Sequence, residues 1–282
     1  MTGAGPVLVL REVGYRYPRG VVAVDGITLD VVAGDVVGIA GANGAGKSTL
    51  ARLLNGLLRP VAGTVTVGGL DTRRHEVHEL ARTVGLVFQD PRAQLFARTV
   101  VEELSFGPRN LGLPDPEVRE RVARVVARLR LEDVLAVSPF ELPAPRRRLV
   151  ALASVLAMEP RVLVLDEPTT GQDHHATAAV AGIVRDLRAD GMTVVCISHD
   201  MRLLAAVSDR IVVMAAGRIV AVGAPRTVFA DAGTLGAAGI LAPQVTRLGL
   251  ALPQRHGRPA VLGVEELVGE LAAARSSGEG SP

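Results

Sequence analysis

The fold is decided by the stretch Val36-Val37-Gly38-Ile39-Ala40-Gly41-Ala42-Asn43-Gly44-Ala45-Gly46-Lys47-Ser48-Thr49. An apolar run comes first, a glycine-rich turn follows it, and good helix formers continue from Leu50. The spacing GxxxxGK[ST] is typical of a loop that binds phosphate between a strand and a helix. The sequence therefore predicts a strand, a phosphate-binding loop and a helix, in that order.

Each residue type in this loop has a chemical reason. Gly41, Gly44 and Gly46 permit positive φ and let the backbone approach a ligand closely. Successive backbone N–H groups can then surround anionic oxygens at the start of a helix. Lys47 adds a compact charge for the β- and γ-phosphates, and Ser48 offers its hydroxyl to Mg²⁺. The residues predicted to bind the nucleotide here are Gly41, Ala42, Asn43, Gly44, Ala45, Gly46, Lys47, Ser48 and Thr49.

Lys47 is also the only lysine in the chain. Lysine and arginine together number 31, and all the others are arginine. The sequence thus uses arginine wherever either cation serves, and it keeps lysine where a planar guanidinium would not fit. This contrast favours a specific role for Lys47 over a chance glycine-rich turn.

The composition restricts the class of protein. The 282 residues suffice for one large domain, or for a core domain with an appendage. Hydrophobic residues make up 48% and aromatic residues 2%, so the core must consist of Val, Leu, Ile and Ala, which suits a parallel sheet covered on both faces. The net charge is only +2 and no basic run contains interleaved aromatic residues, so we expect no nucleic-acid partner.

The expected location follows from three further observations. The single cysteine, Cys196, cannot form an internal disulfide. No signal peptide opens the sequence, and no apolar run is long enough to span a bilayer. We therefore expect a cytoplasmic protein that reaches the membrane only through a partner.

Strands alternate with helices along most of the chain, which predicts an α/β fold with a mainly parallel sheet. Two N-terminal strands over residues 7–32, expected to form an antiparallel portion, precede it. Residues 99–158 are expected to form a helical subdomain, with Asp115 as the N-cap of one helix, Pro116 as its first residue, and another helix beginning at Arg147. The predicted domains are residues 1–231 and a small C-terminal appendage at 232–282. Within the appendage only Val264 to Leu271 predicts a clear helix, and Ser276 to Pro282 is expected to be disordered.

Polar residues directly follow several predicted strands. Gly41, Gln89, Asp166 and His199 each come after an apolar run, and ligands of such sheets bind at the carboxyl ends of the strands. We therefore expect these residues to converge. Asp166 suits Mg²⁺ held through water, and the adjacent Glu167 suits a general base for an attacking water.

Tyr17 is a candidate for stacking on a purine ring. The chain has two tyrosines, Tyr15 and Tyr17, in one short segment before the phosphate-binding loop. A packed aromatic residue at a strand end is the alternative interpretation of Tyr17.

Together these stretches resemble the nucleotide-binding subunits of ABC transporters over about residues 7–230. The matching motifs are the phosphate-binding loop, the Q-loop at Gln89, the Walker B strand with Asp166-Glu167, the D-loop at Thr170-Gly171-Gln172-Asp173 and the switch residue His199. The resemblance implies ATP and Mg²⁺ as cofactors. It implies catalytic roles for Glu167, His199, Gln89 and Lys47, metal contacts for Ser48, Gln89 and Asp166, adenine stacking for Tyr17 and a D-loop role for Asp173.

A narrower resemblance concerns Val84 to Pro108, which reads VGLVFQDPRAQLFARTVVEELSFGP. This segment, EPTTGQD at Glu167–Asp173 and the long tail are similar to the ATPases of energy-coupling factor (ECF) transporters and their cobalt and nickel relatives. The resemblance implies two paired ATPases beneath a transmembrane coupling subunit, which holds a substrate-capturing membrane protein. That group imports vitamins or transition-metal ions. Gln89 to Phe96 would line the groove for the coupling subunit.

One motif departs from the family. The signature LSGGQ is replaced by Leu142-Pro143-Ala144-Pro145-Arg146. In the family this loop contacts the γ-phosphate held by the other subunit, through the serine hydroxyl and glycine N–H groups. Pro143 and Pro145 have no N–H and a fixed φ, so this loop lacks most of those donors.

Two functions from different classes remain open. The chain is either the motor ATPase of an importer, favoured as one half of an asymmetric heterodimer, or a nucleotide-binding subunit that does not hydrolyse ATP. Glu167, Gln89 and His199 favour the first, whereas the altered signature favours the second. A third interpretation, a non-transport ABC protein, is disfavoured by the single ATPase unit and the ECF-like segment after Gln89.

Overall fold

The computed structural model describes residues 5–255 and 257–278. Its strands are β1 (Pro6–Arg16), β2 (Val22–Val32), β3 (Val36–Ala40), β4 (Ala62–Val67), β5 (Leu70–Asp71), β6 (Val84–Val87), β7 (Val162–Asp166), β8 (Thr193–Ile197), β9 (Arg210–Ala215) and β10 (Arg218–Gly223). One sheet has the order β2-β1-β4-β5 and is antiparallel. The other has the order β10-β9-β3-β8-β7-β6, and all its pairs are parallel except β9 with β10. The predicted mainly parallel sheet and antiparallel N-terminal portion are confirmed.

The helices are α1 (Lys47–Leu54), α2 (Val77–Leu80), α3 (Val100–Asn110), α4 (Asp115–Leu129), α5 (Ala144–Leu156), α6 (His174–Ala189), α7 (Met201–Val207), α8 (Pro225–Ala230), α9 (Ala232–Ala237), α10 (Gln244–Ala251) and α11 (Val264–Gly278). Within the described part of the chain, no helix combines the length and apolar character needed to cross a membrane.

The core lies on both faces of the large sheet. Strands β3, β7 and β8 are buried at every residue, as expected for central parallel strands that carry continuous apolar runs. One face packs against the antiparallel sheet and α1, and the other against α5, α6 and α7. Val, Leu, Ile and Ala make up nearly all of both layers, and the carboxyl ends of the central strands lie at one edge.

Two predicted helix starts were wrong. α5 begins at Ala144, three residues before the predicted Arg147, because Pro145 lies in the first turn, where a missing N–H removes no helical hydrogen bond. α4 has Pro114 as its N-cap, and Asp115, predicted as the cap, is the first helical residue. A carboxylate there still complements the helix dipole.

The C-terminal appendage is more helical than the sequence predicted. α9 and α10 each span eight residues or fewer, and such short apolar segments carry little periodicity. Arg255 is buried and pairs with Glu270, which links the turn after α10 to α11. α11 includes Ser276, Ser277 and Gly278, at the start of the segment expected to be disordered, and Glu279 to Pro282 lie outside the described residues.

Candidate nucleotide-binding and hydrolysis site

The loop between β3 and α1 requires its glycines for two different reasons. Gly46 has φ +99°, and a Cβ placed there would come within 2.2 Å of the Ala23 carbonyl oxygen. A Cβ on Gly41 would come within 2.5 Å of the Met214 carbonyl oxygen. Neighbouring backbone therefore lies directly against the loop at both glycines, where a side chain would collide with it.

The Lys47 side chain folds back into this loop. Its Nζ donates to the carbonyl oxygens of Gly41 at 2.9 Å and Ala42 at 3.2 Å. Nζ also lies 3.7 Å from Oε1 of Glu167, and both side chains are 6% exposed. The charge of Lys47 is thus placed at the centre of the loop, with a carboxylate opposite it.

Ser48 and Asp166 meet at the end of β7. The Ser48 hydroxyl donates to Oδ1 of Asp166 at 3.2 Å. Burial raises the pKa of Asp166, the Ser48 hydrogen bond opposes this shift, and the nearby Glu167 charge adds to it. A hydroxyl and a buried carboxylate are hard oxygen donors, so these residues fit a divalent cation such as Mg²⁺.

We expect Asp166→Asn to stabilise the protein when it holds neither nucleotide nor metal. The pKa of Asp166 in the folded state lies above its ordinary value of 3.8. The ionised carboxylate therefore destabilises the folded state fully at pH values above the folded-state pKa. It does not do so at pH values below 3.8, where Asp166 is protonated in the folded and the unfolded states. Asparagine avoids that penalty. The variant should therefore have a Tm at pH 7 that is higher by roughly 2–4 °C, the effect of about 1 kcal/mol in a protein of this size.

Thermal unfolding in EDTA from pH 4 to pH 8 measures this difference, which should shrink as the pH falls. Asp231→Asn is the matched control. Its carboxylate caps α9 through Thr234, which lowers the pKa of Asp231. This variant should therefore be less stable than the parent at pH 7, and the difference should shrink in acid, where Asp231 of the parent becomes protonated. A destabilised Asp166→Asn variant with no pH dependence would contradict the prediction.

Glu167 lies between Lys47 and His199. Oε2 of Glu167 is 2.6 Å from Nδ1 of His199 and accepts the His199 backbone N–H at 3.2 Å. Glu167 has φ +51°, an uncommon conformation for a side-chain-bearing residue, and its N–H donates to the Ile197 carbonyl. A buried carboxylate held in this way can accept a proton from a water at the loop.

Tyr17 stands at the open side of the same cleft. Its hydroxyl is 3.2 Å from Oγ1 of Thr49, and its ring meets the Tyr15 ring edge-on at 5.1 Å between centroids. Sequence reasoning missed the neighbouring exposed residues Val21 and Val22, which give the cleft an apolar wall. Their only signal in the sequence was a pair of valines at the start of the second predicted strand.

The cleft has a volume of about 680 Å³ and opens to solvent. Its lining brings together most of the predicted residues: Tyr17, Asn43, Gly44, Gly46, Lys47, Ser48, Thr49, Gln89, Glu167 and His199. Thr170 also lines it. Asp173 does not, because its carboxylate accepts the Ala176 N–H at 2.8 Å and caps α6.

The altered loop at Leu142 to Arg146 lies apart from this cleft. Pro143 is the N-cap of α5 and offers no side-chain cap, and Pro145 removes a further donor from the first turn. Arg147 donates to the carbonyl oxygens of Pro139, Phe140 and Leu142 at 3.2, 2.8 and 2.9 Å, which fixes the loop from behind.

Arg146 does not replace the lost donors in this arrangement. Its guanidinium donates to the Arg130 carbonyl and pairs with Asp133. The Arg146 guanidinium is therefore engaged by groups of its own subunit.

Comparison with known proteins gives a consistent picture. The family model described as "ABC transporter" matches residues 24–170. The chain is 43% identical over 256 residues to a cobalt import ATP-binding protein CbiO of Rhodobacter capsulatus, covering 90% of this chain and 91% of that one. It is also 43% identical over 279 residues to the energy-coupling factor transporter ATP-binding protein EcfA1 of Symbiobacterium thermophilum, covering 94% and 96%. The solved structure of cbiO1 from Clostridium perfringens, part of the ABC transporter complex cbiONQ, superposes with a TM-score of 0.74 at 33% identity, covering 89% of this chain and 97% of that one.

Proposed function

Because the chain belongs to the ABC transporter family of ATPases, in its energy-coupling factor and cobalt importer group, we propose that it hydrolyses ATP to power the import of a micronutrient, a vitamin or a transition-metal ion. The observation that carries this proposal is the arrangement of Lys47, Glu167 and His199 around the phosphate-binding loop. In this proposal the chain lies at the cytoplasmic face of the membrane, where it is bound to membrane subunits.

Each residue of the cleft has one task in this proposal. The loop N–H groups and Lys47 hold the β- and γ-phosphates, and Tyr17 stacks on the adenine beside Val22. Ser48, Asp166 and Gln89 hold Mg²⁺, which when bound neutralises phosphate charge. Glu167 accepts the proton of the attacking water, and His199 keeps the Glu167 carboxylate oriented through the contact at Nδ1.

We further propose that a second, different ATPase completes the site. Each signature loop of an ABC dimer faces the nucleotide on the other subunit, and the loop of this chain lacks N–H groups at Pro143 and Pro145. The partner would bring an intact signature to the nucleotide held by Lys47. This chain would bring a weak one to the partner's nucleotide.

A transmembrane coupling subunit is proposed to dock beyond Gln89. Phe96 and Phe106 are largely exposed, and their rings pack edge-to-face with centroids 4.5 Å apart. The carboxylate of Glu103 is buried and accepts the N–H groups of Phe96 and Ala97 at 2.9 and 2.7 Å, so the exposed ring is held in place. Exposed aromatic anchors of this kind are common at interface centres. The substrate-capturing protein would be held indirectly, by the coupling subunit.

The alternative is a subunit of the same complex that binds ATP without hydrolysing it. The proline-bearing loop is the observation that favours it. The two functions differ in what the chain's own Glu167 does, because Glu167→Gln in this chain removes ATP turnover only if this chain hydrolyses ATP.

The proposed function is tested by purification of the tagged chain from detergent-solubilised membranes. We expect a second ATPase and a transmembrane protein to copurify, and the complex to hydrolyse ATP. Phe96→Ala combined with Phe106→Ala should reduce recovery of the transmembrane protein about ten-fold or more, the usual effect of removing an aromatic anchor, without reducing ATP affinity.

Val61→Ala serves as the control, because Val61 is an exposed apolar residue outside the proposed docking surface. Recovery of the chain without any membrane protein would contradict the proposal. So would a double variant that retains the transmembrane protein as well as the Val61 control does.

A further inference from the structure

The side chain of Gln94 joins two parts of the molecule that take part in different motifs. Oε1 of Gln94 accepts the backbone N–H of Phe88 at 3.2 Å. Nε2 donates to the Ala151 carbonyl oxygen at 2.7 Å and to the Ser154 hydroxyl at 3.1 Å. The side chain of Gln94 is half-buried, and the oxygen and the nitrogen of its amide are both hydrogen-bonded.

The two parts lead to opposite sides of an ABC active site. Phe88 is the residue before Gln89, which lines the nucleotide cleft. Ala151 and Ser154 lie on α5, whose first turn carries the altered signature loop. A helix of 13 residues transmits displacement along its axis, so the amide of Gln94 links the position of Gln89 to the position of that loop.

Gln94 supplies the hydrogen bonds of this connection. Among the hydrogen bonds of the described residues, those that join residues 88–96 to α5 all come from Gln94. Asp90 pairs with Arg92 inside its own turn and adds only longer-range charge attraction to Arg147 and Arg148 of α5.

A cavity interrupts the apolar packing here. It has a volume of about 150 Å³, is partly open to solvent and lies between the end of β6, α5 and α6, with Val87, Leu149, Leu152, Leu165 and Ile183 among its lining residues. Close packing would lock α5 against the core by itself, whereas a cavity leaves α5 room to shift. The hydrogen bonds of Gln94 then determine how α5 follows the segment after β6.

We propose that Gln94 is a positioning residue that couples Gln89 to the signature helix α5. The inference rests on the proposed ATPase function. It adds a path by which a change at the nucleotide, or at a subunit docked on Phe96, reaches the loop that faces the other ATPase. Only an amide of this length supplies an acceptor for Phe88 and a donor for Ala151 together.

Hydrogen exchange measured by mass spectrometry tests the coupling on the full-length chain without any membrane partner. The probe is the non-hydrolysable analogue AMP-PNP with Mg²⁺. In the parent chain we expect the analogue to slow exchange in residues 84–96 and in residues 142–156 together. In Gln94→Met, which has similar length but no amide, exchange should slow in 84–96 and stay unchanged in 142–156.

Gln94→Glu sharpens the test. A carboxylate still accepts from Phe88 but cannot donate to Ala151, so this variant should behave like Gln94→Met. Thr246→Val is the control for loss of a buried hydrogen bond, because the Thr246 hydroxyl donates to the Val261 carbonyl in the appendage. It should lower the Tm without changing the exchange response.

Steady-state kinetics of the assembled ATPase give a second readout. Both Gln94 variants should keep the KM for ATP and lose about five- to ten-fold in kcat, consistent with loss of one or two hydrogen bonds. The inference is overturned by slowed exchange in 142–156 of Gln94→Met, by parent-like behaviour of Gln94→Glu, or by no response of 142–156 in the parent. Failure to recover a membrane partner would refute the proposed docking but would not alter the exchange result.

Discussion

Lys47→Arg is expected to abolish ATP turnover although the positive charge is kept. Nζ of Lys47 lies within hydrogen-bond distance of the Gly41 and Ala42 carbonyl oxygens and is almost completely buried. A planar guanidinium is wider than an ammonium and needs a fork of acceptors, so it would displace the loop N–H groups from the phosphates. We expect ATP affinity to fall about ten-fold and turnover about 10³-fold, since one preorganised donor alone is worth roughly 10²–10³ in rate.

The measurement is ATP binding and turnover of the assembled complex. Lys47→Ala is the reference for complete loss of the cation. Arg59→Lys is the matched reverse exchange, at an exposed arginine that pairs with Glu76 far from the cleft, and it should leave turnover unchanged. Turnover near the parent value in Lys47→Arg would show that the single lysine reflects composition rather than the shape of the loop.

The sequence predicted the part of this site that depends on buried strands. β3, β7 and β8 are continuous apolar runs in the middle of a parallel sheet, and each is followed at once by a polar motif. Their carboxyl ends must lie at one edge, which is why Gly41, Asp166 and His199 could be expected to converge. The roles of these residues remain predictions.

Features that depend on packing between distant segments were not predictable in this way. The start of α5 at Ala144 results from tolerance of proline in a first turn, and a sequence pattern cannot distinguish that from a loop. The short helices of the appendage are stabilised by contacts such as Arg255 with Glu270, which are 15 residues apart. The contacts of Gln94 could not be predicted from the segment after β6, because its partners on α5 are 57 and 60 residues away in the sequence.

Glu167→Gln in this chain is expected to remove most of the ATP turnover of the complex, whereas the matching change in the partner ATPase should remove little. Glutamine keeps the size of the side chain but cannot accept the proton of the attacking water, and a general base contributes about 10²–10⁴ in rate. Binding of Mg·ATP should be nearly unchanged, because Lys47 and Ser48 hold the phosphates and the metal.

The asymmetry follows from the loop at Pro143 to Pro145. ATP held by Lys47 of this chain would face the partner's signature with its full set of donors. ATP held by the partner would face a helix start that lacks two N–H groups and turns Arg146 toward Asp133. The second site should therefore hold its nucleotide or turn it over slowly. Removing the general base of that site would then reduce the ATP turnover of the complex only slightly.

ATP turnover of purified complexes that carry one substitution at a time measures both effects. The control is the double variant, which should be no slower than Glu167→Gln alone if one site performs most of the hydrolysis. Equal losses from the two single variants would show that the proline-bearing loop still supports catalysis. Full turnover in Glu167→Gln, with loss only in the partner's variant, would instead assign this chain the non-hydrolysing role, because its own carboxylate would then be unused.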